Sequence, residues 1–232
     1  MTTLIAQLSD PHLRMDDEAS QPALARAVEQ VRVLRPAPVA VLVTGDIANS
    51  GSAEEHARAR ELLAPLDAPV YTAAGNHDRL GARHEYAVEA AGVRIVVCDT
   101  SIDGRDDGSL DVGWLEDQLE PGVPTIVAMH HPPILMGLPW LDEIGLPAEQ
   151  REALEDLLAR SPQVLRVVAG HVHRASANTL GGCGVVTCAA TNIQAELDFS
   201  VPDMALANEP PSILVHALLD SGDLITHVQP VA

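Results

Sequence analysis

Polar residues that can bind metal ions follow five short hydrophobic runs of the chain. The five segments are Asp10-Pro11-His12, Gly45-Asp46, Gly75-Asn76-His77-Asp78, His130-His131 and Gly170-His171-Val172-His173. Carboxylates, imidazoles and an amide oxygen, without a thiolate, form a ligand set that suits Mn²⁺, Fe or Zn²⁺ better than a structural cysteine site. In an open α/β sheet the carboxyl ends of the strands form one rim, where ligands bind. The pattern therefore predicts a metal centre, and the number of donors favours two ions.

Each of these residues taken alone also has a structural explanation. An aspartate after a strand often caps the next helix, and an isolated histidine is more often packed or exposed than a metal ligand. Five such coincidences at the same topological position explain the pattern less economically than one shared metal centre does. The metal centre is therefore the favoured interpretation.

The order of the motifs resembles that of the calcineurin-like metallophosphoesterases. The pattern of that family is D-x-H, GD-x4-G, GNH[DE], a histidine after a strand, and GH-x-H. Here the second motif is Gly45-Asp46-Ile47-Ala48-Asn49-Ser50-Gly51, and the histidine after a strand is His130 in Val127-Ala128-Met129-His130-His131-Pro132. The resemblance covers residues 10–173. It implies an α/β fold, namely a four-layer α/β/β/α sandwich in which helices flank two mixed β-sheets.

The resemblance also implies a role for each matching residue. One metal ion would be held by Asp10, His12 and His173, a second by Asn76, His130 and His171, and Asp46 would bridge both. Asp46 and His77 would be catalytic, and Asn76, His77 and His173 would contact the substrate. The implied cofactors are two transition-metal ions per chain, Mn²⁺ or Fe, with Zn²⁺ as an alternative.

Position 49 departs from the commoner family pattern GD-x-x-D-x-G, because this chain has Asn49 where the family usually has a second aspartate. That aspartate usually supports the histidine of GNH[DE], here His77, and an asparagine cannot stabilise an imidazolium by charge. A role of His77 as general acid is therefore less secure than a role as hydrogen-bond donor to the phosphate, and both stay open. Asp78 is a candidate substitute for the missing carboxylate.

Three further polar residues beside the motifs are candidates for a supporting or recognition role. His131 follows His130 directly, and alternation along an extended chain turns its side chain to the opposite face, so it is expected to pack rather than to bind metal. Arg14 and Arg174 flank the first and last motifs, and they are either phosphate ligands or solvated surface arginines. The remaining histidines are expected to be structural; they are His56, His84, His216 and His227.

The His-Pro-Pro segment that includes His131 resembles the cyclic nucleotide phosphodiesterase branch, which also contains glycerophosphodiesterases. Two divalent ions about 3.5–4 Å apart can neutralise phosphate oxygens and lower the pKa of a bridging water towards ~7. The leading hypothesis is thus a phosphodiesterase for small diesters, foremost 3′,5′-cyclic nucleotides such as cAMP, acting by in-line attack of metal-bound hydroxide. The alternatives are a phosphomonoesterase or nucleotide pyrophosphatase on the same site, and a non-catalytic scaffold of the same fold.

Composition excludes several other classes of protein. Among the 232 residues, 14 basic and 33 acidic ones give a net charge of −19, which disfavours binding to polymeric nucleic acid. All basic residues are arginines, so kinase and P-loop chemistry lack their lysine. Three cysteines in apolar stretches suit reduced thiols, and no run suits a membrane span or signal peptide. We expect a cytoplasmic protein, and a homodimer is left open.

The elements that must position these residues alternate between β-type and helical patterns, as in an α/β domain. The hydrophobic patterns predict strands at 3–8, 39–44, 70–74, 94–99, 124–129 and 164–169 and helices at 20–35, 52–66, 82–91, 112–119 and 148–160. After residue 174 only β-runs follow, at 175–180, 185–189, 213–219 and 224–228, and they are expected to be antiparallel. Residues 132–147 and 198–211 are expected to be specificity loops, and residues 1–232 one domain.

Overall fold

The computed structural model describes residues 2–200 and 203–231 as an arrangement of five helices and thirteen strands. The helices are α1 (Ser20–Arg32), α2 (Ala53–Leu63), α3 (Val112–Gln118), α4 (Pro139–Asp142) and α5 (Ala148–Ala159). The strands are β1 (Thr3–Leu8), β2 (Ala40–Thr44), β3 (Val70–Ala73), β4 (Tyr86–Ala90), β5 (Val93–Val97), β6 (Thr125–Ala128), β7 (Val164–Ala169), β8 (Ser176–Leu180), β9 (Cys183–Thr187), β10 (Gln194–Ala195), β11 (Leu206–Ala207), β12 (Ser212–Leu218) and β13 (Leu224–Pro230). None of these helices is long and apolar enough to cross a membrane.

The strands form two large mixed sheets and one short ribbon. The first sheet has the order β13-β12-β1-β2-β3, and the second has the order β4-β5-β6-β7-β9-β8. Strands β1, β2 and β3 run parallel, as do β5, β6, β7 and β9. The ribbon pairs β10 with β11. Because parallel strands end on the same side of a sheet, each large sheet presents a row of carboxyl ends.

Alternation of side chains along the central strands builds the four layers. On β1, Leu4, Ala6 and Leu8 pack with the apolar stripe of α1, whereas Ile5 points into the layer between the two sheets. On β6, Ile126 lies in that inner layer, and Val127 packs with α5 on the other side. The helices α1 and α2 thus cover one sheet and α3 and α5 cover the other, which confirms the predicted α/β/β/α sandwich.

Most predicted boundaries agree with the structure to within three residues, but the helix at 82–91 is wrong. Residues 86–90 form β4, which pairs with β5 in an antiparallel hairpin. The two turn residues, Ala91 and Gly92, have φ values of 50° and 82°, as a type I′ turn requires. The alanines of this segment favour a helix locally, but pairing with β5 overrides that preference.

Two smaller differences concern the second half of the chain. Strand β9 runs parallel to β7, so the segment after residue 174 is not wholly antiparallel as expected. The expected loop at 132–147 contains the one-turn helix α4, and β11 lies inside the expected loop at 198–211. Residues 201 and 202 of that loop lie outside the described part of the chain.

Candidate metal centre

The five polar motifs follow five parallel strands, three from one sheet and two from the other. The D-x-H motif follows β1, Gly45-Asp46 follows β2 and Gly75-Asn76-His77-Asp78 follows β3. The pair His130-His131 comes after β6, and Gly170-His171-Val172-His173 comes after β7. The site therefore lies where the carboxyl ends of the two sheets meet, as the sequence predicted for a single rim.

The loops after these strands approach one another more closely than side chains would permit. A Cβ atom at Gly45 would lie 2.3 Å from Nδ1 of His130, and Gly45 has a φ of +89°. A Cβ atom at Gly170 would lie 2.1 Å from Oγ of Ser9 and 2.8 Å from Oδ2 of Asp10. Glycine is thus required at both positions because one loop contacts the polar side chains of another.

Unusual backbone conformations are concentrated at this site. In the described part of the chain, seven non-glycine residues have a positive φ. Five of them belong to the candidate ligand set: Asp10, His12, Asp46, His171 and His173. Their φ values lie between 42° and 69°, in the left-handed region that costs a non-glycine residue about 1 kcal/mol or more. Such strain persists where the surrounding structure imposes it, and it is typical of functional sites.

One group of donors surrounds the ring of His12. Nε2 of His12 lies 3.0 Å from Nε2 of His173 and 3.4 Å from Oδ2 of Asp46. Oδ1 of Asp10 lies 3.7 Å from Nε2 of His173. These are the residues that the family resemblance assigns to the first ion, together with the bridging aspartate.

A second group surrounds the ring of His130. Nε2 of His130 lies 3.1 Å from Oδ1 of Asn76, 3.2 Å from Nδ1 of His171 and 3.4 Å from Oδ2 of Asp46. The same oxygen of Asp46 therefore lies 3.4 Å from a nitrogen of each group. The structure brings all seven candidate ligands together, with Asp46 between the two sets.

Backbone carbonyls fix the orientation of three of the histidine rings. Nδ1 of His130 donates to Thr44 O at 2.8 Å, Nδ1 of His173 to Ile193 O at 2.8 Å, and Nε2 of His171 to Ile144 O at 3.0 Å. When such a ring is neutral it carries one N–H, and its other nitrogen then turns a lone pair towards the centre. Orienting bonds of this kind are typical of metal-binding histidines.

The close approach of these nitrogens tests whether metal ions fit. Nε2 of His173, whose Nδ1–H is donated to a carbonyl, faces Nε2 of His12 at 3.0 Å, so a proton or a cation is needed between the two nitrogens. Groups of three such donors, each with ligand atoms within 4.8 Å, include Asp10, His12 and His173, and also Asp10, Asp46 and His130. The donor set therefore fits a pair of divalent cations.

The electrostatics of the cluster point the same way. Burial lowers the pKa of His12 to about 3, and it lowers the pKa of His171 well below its ordinary value, so both rings are neutral at pH 7. Burial alone would also lower the pKa of His130, but the carboxylates of Asp46 and Asp10 raise it to about 9. The pKa of Asp46 is well below its ordinary value because His130 and His12 outweigh the effect of burial. In the metal-free protein a proton on His130 thus supplies positive charge that metal ions would replace.

His77 lies beside the first group, with a partner that the sequence did not suggest. Its Nδ1 donates to the backbone carbonyl of Asn49 at 2.7 Å, and its backbone N–H donates to Oδ1 of Asp46 at 2.9 Å. The partner of His77 is the backbone carbonyl of Asn49, which any residue at this position would supply. The side chain of Asn49 makes no hydrogen bond to His77. The contact therefore does not depend on the residue type at position 49.

Asp78 does not replace the missing carboxylate. It is buried, and its two oxygens accept hydrogen bonds from the backbone N–H groups of Ala48 and Gly75, each at 2.9 Å. These bonds join the loop after β2 to the loop after β3. Asp78 thus positions the segments that carry Asp46 and Asn76.

His131 is buried against the centre rather than turned away from it. Its ring centroid lies 4.9 Å from that of His130 and 4.3 Å from that of His171. Nδ1 of His131 lies 2.9 Å from the hydroxyl of Thr100, and Nε2 lies 3.1 Å from Asp106 O. Both ring nitrogens therefore have partners outside the centre, and the ring acts as packing for the two neighbouring histidines.

Of the two candidate phosphate ligands, Arg14 is exposed and lines the cavity at the centre, whereas Arg174 is engaged by other groups. Arg14 lies 3.4 Å from Asp16, and Arg174 lies 3.1 Å from Glu209 while it also donates to Ala195 O. Three of the other histidines make structural contacts outside the centre. His56 contacts the carbonyl of Asp78, and His216 is buried between Gln7 and Thr226. His84 lies outside any helix, next to Tyr86.

A cavity of about 710 Å³ opens above the centre. Its floor includes His12, Asp46 and His77, and its apolar wall includes Trp140 of α4 and Met204 beside β11. The sequence marked the two loops at 132–147 and 198–211 but not these residues. The sequence feature that could have identified this wall is Trp140, because aromatic residues make up only 2% of the chain and one of them lies in the loop at 132–147.

Comparisons with known proteins identify a family and similar proteins. The family described as calcineurin-like phosphoesterase matches residues 3–175. A probable glycerophosphodiester phosphodiesterase of Arcobacter nitrofigilis is 32% identical over 97% of this chain and 92% of its own length. A 3′,5′-cyclic adenosine monophosphate phosphodiesterase of Pseudomonas aeruginosa is also 32% identical, over 99% of this chain and 90% of its own.

One solved structure with a similar fold is a dimetal phosphatase from Danio rerio. It superposes with a TM-score of 0.73 at 17% identity, over 99% of this chain and 96% of its own. At that identity the likeness concerns the fold alone.

Proposed function

The chain belongs to the calcineurin-like phosphoesterase family, and from that premise we propose that it is a dimetal-dependent phosphodiesterase of small phosphodiesters, foremost 3′,5′-cyclic nucleotides such as cAMP. Both relatives described above carry names of phosphodiesterases, one for glycerophosphodiesters and one for cAMP. The described residues contain no cap-sized insertion over the cavity, which disfavours the phosphomonoesterase and pyrophosphatase alternatives.

A single observation carries the proposal, namely the position of Asp46. Its Oδ2 lies 3.4 Å from Nε2 of His12 and 3.4 Å from Nε2 of His130, so one carboxylate faces both groups of donors. We assign Asp10, His12 and His173 to one ion and Asn76, His130 and His171 to the other, with Asp46 as the bridge. A carboxylate at this place is the ligand that a two-metal site needs.

When bound, two such ions neutralise phosphate oxygens and provide a nucleophile at neutral pH. The residues of the chain then have distinct tasks. Asp46 keeps its negative charge, because neighbouring imidazoles hold its pKa well below the ordinary value. Asn76 offers its amide oxygen to the centre, and its NH2 group lies 3.4 Å from Asp106, at the cavity. That NH2 group and the Nε2 of His77 are the donors that we assign to the phosphate.

His77 needs a second proton for this task. With Nδ1–H donated to the carbonyl of Asn49, a neutral ring has only a lone pair at Nε2. A protonated ring donates from Nε2, and the carbonyl of Asn49 holds its orientation. We therefore assign to His77 the role of phosphate donor, and a role as general acid is the alternative that a leaving-group series decides.

The first test compares diesters with matching monoesters in Mn²⁺-loaded protein. We expect hydrolysis of cAMP to AMP, and at least tenfold higher kcat/KM for bis(p-nitrophenyl) phosphate than for p-nitrophenyl phosphate, which corresponds to about 1.4 kcal/mol in transition-state stabilisation. A chelator should abolish both reactions. A tenfold preference for the monoester would instead support the phosphatase alternative.

Matched variants separate the metal centre from general charge effects. Asp46→Asn should abolish hydrolysis, whereas Asp223→Asn, which changes an exposed aspartate in the β12–β13 turn, should retain it. Full activity in Asp46→Asn would overturn the assignment of the bridge.

Some further properties extend the same proposal. We propose Mn²⁺ and Fe as the metals, with Zn²⁺ as the alternative, because the donors are oxygen and imidazole nitrogen without thiolate. We propose a cytoplasmic location, which is supported by three free, buried cysteines. Residues 1–232 are proposed to form one phosphoesterase domain, and a homodimer stays an open prediction.

A further inference from the structure

The cavity above the metal centre has two chemically different sides. The polar floor is the candidate metal centre, and the apolar side is formed by the lining residues Trp140, Ile144, Ile193, Met204 and Leu206. A phosphodiester needs only the polar floor. The apolar side therefore requires an explanation in terms of the organic part of the substrate.

The apolar side is partly core and partly exposed. Leu141, Val172 and Ala195 are buried in a small cluster of their own, and Trp140 packs against it. In contrast, Ile193, Met204 and Leu206 are 38%, 66% and 49% exposed. Large aliphatic side chains that remain exposed next to a polar centre mark a surface that gains free energy when an apolar group covers it.

Trp140 contributes apolar surface rather than a hydrogen bond. Its Nε1 is buried and has no hydrogen-bond partner among the described residues, so the part of the indole that lines the cavity is carbon. A flat ring system placed beside it would gain area and stacking contacts. The wall is thus suited to a planar group.

Asn192 supplies a polar group within this wall. It is half-buried, it lines the cavity, and its side-chain amide has no hydrogen-bond partner in the part of the chain that the structure describes. Its backbone is fixed on both sides, because Thr191 N–H donates to Ser9 O at 3.0 Å and Ile193 O accepts from Nδ1 of His173 at 2.8 Å. An amide held in this way offers one donor and one acceptor side by side.

From the proposed function and these contacts we infer that the wall formed by Trp140, Ile193, Met204, Leu206 and Asn192 binds the nucleobase of the substrate, with the Asn192 amide hydrogen-bonded to the edge of the base. The paired donor and acceptor of an asparagine match an adenine edge, which carries an N6 amino group beside N7. The aliphatic side chains cover the face of the ring. The wall therefore favours base-bearing diesters over diesters of the same phosphate group without a base.

The catalytic test compares cAMP with trimethylene phosphate, the six-membered cyclic diester that lacks ribose and base. Asn192→Ala should lower kcat/KM for cAMP roughly tenfold, mainly through KM, and leave trimethylene phosphate within twofold. Asn178→Ala, at an exposed asparagine of β8, is the matched control and should change neither substrate. Equal losses on both substrates, or no loss on cAMP, would overturn the inference.

The wall itself is tested in the same assay. Met204→Ser should raise KM for cAMP severalfold, because it removes apolar surface that is already exposed and not part of the core. Val228→Ser, at a similarly exposed position of β13, is its control. An unchanged KM in Met204→Ser would contradict a base-binding wall.

A binding experiment separates this inference from the proposed function, because it needs neither metal nor turnover. In a Trp114→Phe background Trp140 is the sole tryptophan, since the chain has 2. Adenosine should quench its fluorescence saturably in metal-free protein, and Asn192→Ala should weaken this quenching severalfold. If adenosine quenches but cAMP is not hydrolysed, the proposed function fails and the base site stands. If cAMP is hydrolysed but adenosine does not quench, the base site fails.

Discussion

The two oxygens of Asp46 have different partners, and this division explains why a single residue matters to the whole centre. Oδ2 faces His12 and His130, and Oδ1 accepts the backbone N–H of His77. An asparagine at this position could keep one of these contacts but not the negative charge that both groups of donors share. The residue thus links the two metal positions to the segment that carries the candidate phosphate donor.

His77 gives a prediction that depends on its backbone partner. Because Nδ1 donates to the backbone carbonyl of Asn49, Asn49→Ala should leave the rate of cAMP hydrolysis nearly unchanged. His77→Ala should slow cAMP and bis(p-nitrophenyl) phosphate by similar factors, since a phosphate donor acts independently of the leaving group. A loss on cAMP larger by about 10²-fold would instead assign general-acid catalysis to His77.

At the scale of elements, His216 ties three strands of the first sheet together. It is fully buried on β12, Nε2 lies 3.1 Å from Oε1 of Gln7 on β1, and Nδ1 lies 3.0 Å from the hydroxyl of Thr226 on β13. Burial lowers its pKa to about 3. The folded protein therefore holds this ring neutral where the unfolded chain, with an ordinary pKa near 6.5, would bind a proton.

This arrangement predicts how stability depends on pH. Between about pH 6.5 and 3 the unfolded state binds more protons at His216, so stability is present above pH 6.5 and is lost as the pH falls, by about 1.4 kcal/mol per unit. His216→Gln should remove this part of the pH dependence, whereas His227→Gln on the exposed face of β13 should not. Urea unfolding of the metal-free variants at pH 7 and 5.5 measures the difference. The same pH dependence in wild type and His216→Gln would show that the ring is not the source.

Much of this architecture could be predicted from sequence because its signals are local. The hydrophobic runs before Asp10, Asp46 and Asn76 predicted parallel strands, and parallel strands with a common edge predicted that these residues meet. The segment between the predicted β-runs at 175–180 and 185–189 contains Gly181 and Gly182, and both glycines have positive φ. Elements that depend on pairing with another segment were not predicted. The strand at 86–90 forms because it pairs with β5, and the ribbon of β10 and β11 forms through only two residues of each strand.

The same limit applies to the site. The residue types and their order identified the candidate ligands, but the carbonyl partner of His77 and the packing of His131 against His171 depend on tertiary contacts. The apolar wall was missed for the same reason. Trp140 and Asn192 are 52 residues apart, and neither has a motif that links it to the other.

The charge of the whole molecule fits the proposed centre. A net charge of −19 would repel an anionic phosphodiester, and each candidate arginine beside the motifs is paired with a carboxylate. Two divalent cations would provide the local positive charge that the chain lacks. Substrate binding should therefore depend on metal loading more strongly than it would in a protein with a basic cavity.

The most direct test of the dimetal account is the metal content of the protein itself. After loading with Mn²⁺ and removal of free metal by gel filtration, elemental analysis should find two ions per chain in the wild type, about one in Asn76→Ala, and less than one in Asp46→Asn. Asp223→Asn should retain two. One ion or fewer in the wild type, or full occupancy in Asp46→Asn, would contradict a centre bridged by Asp46.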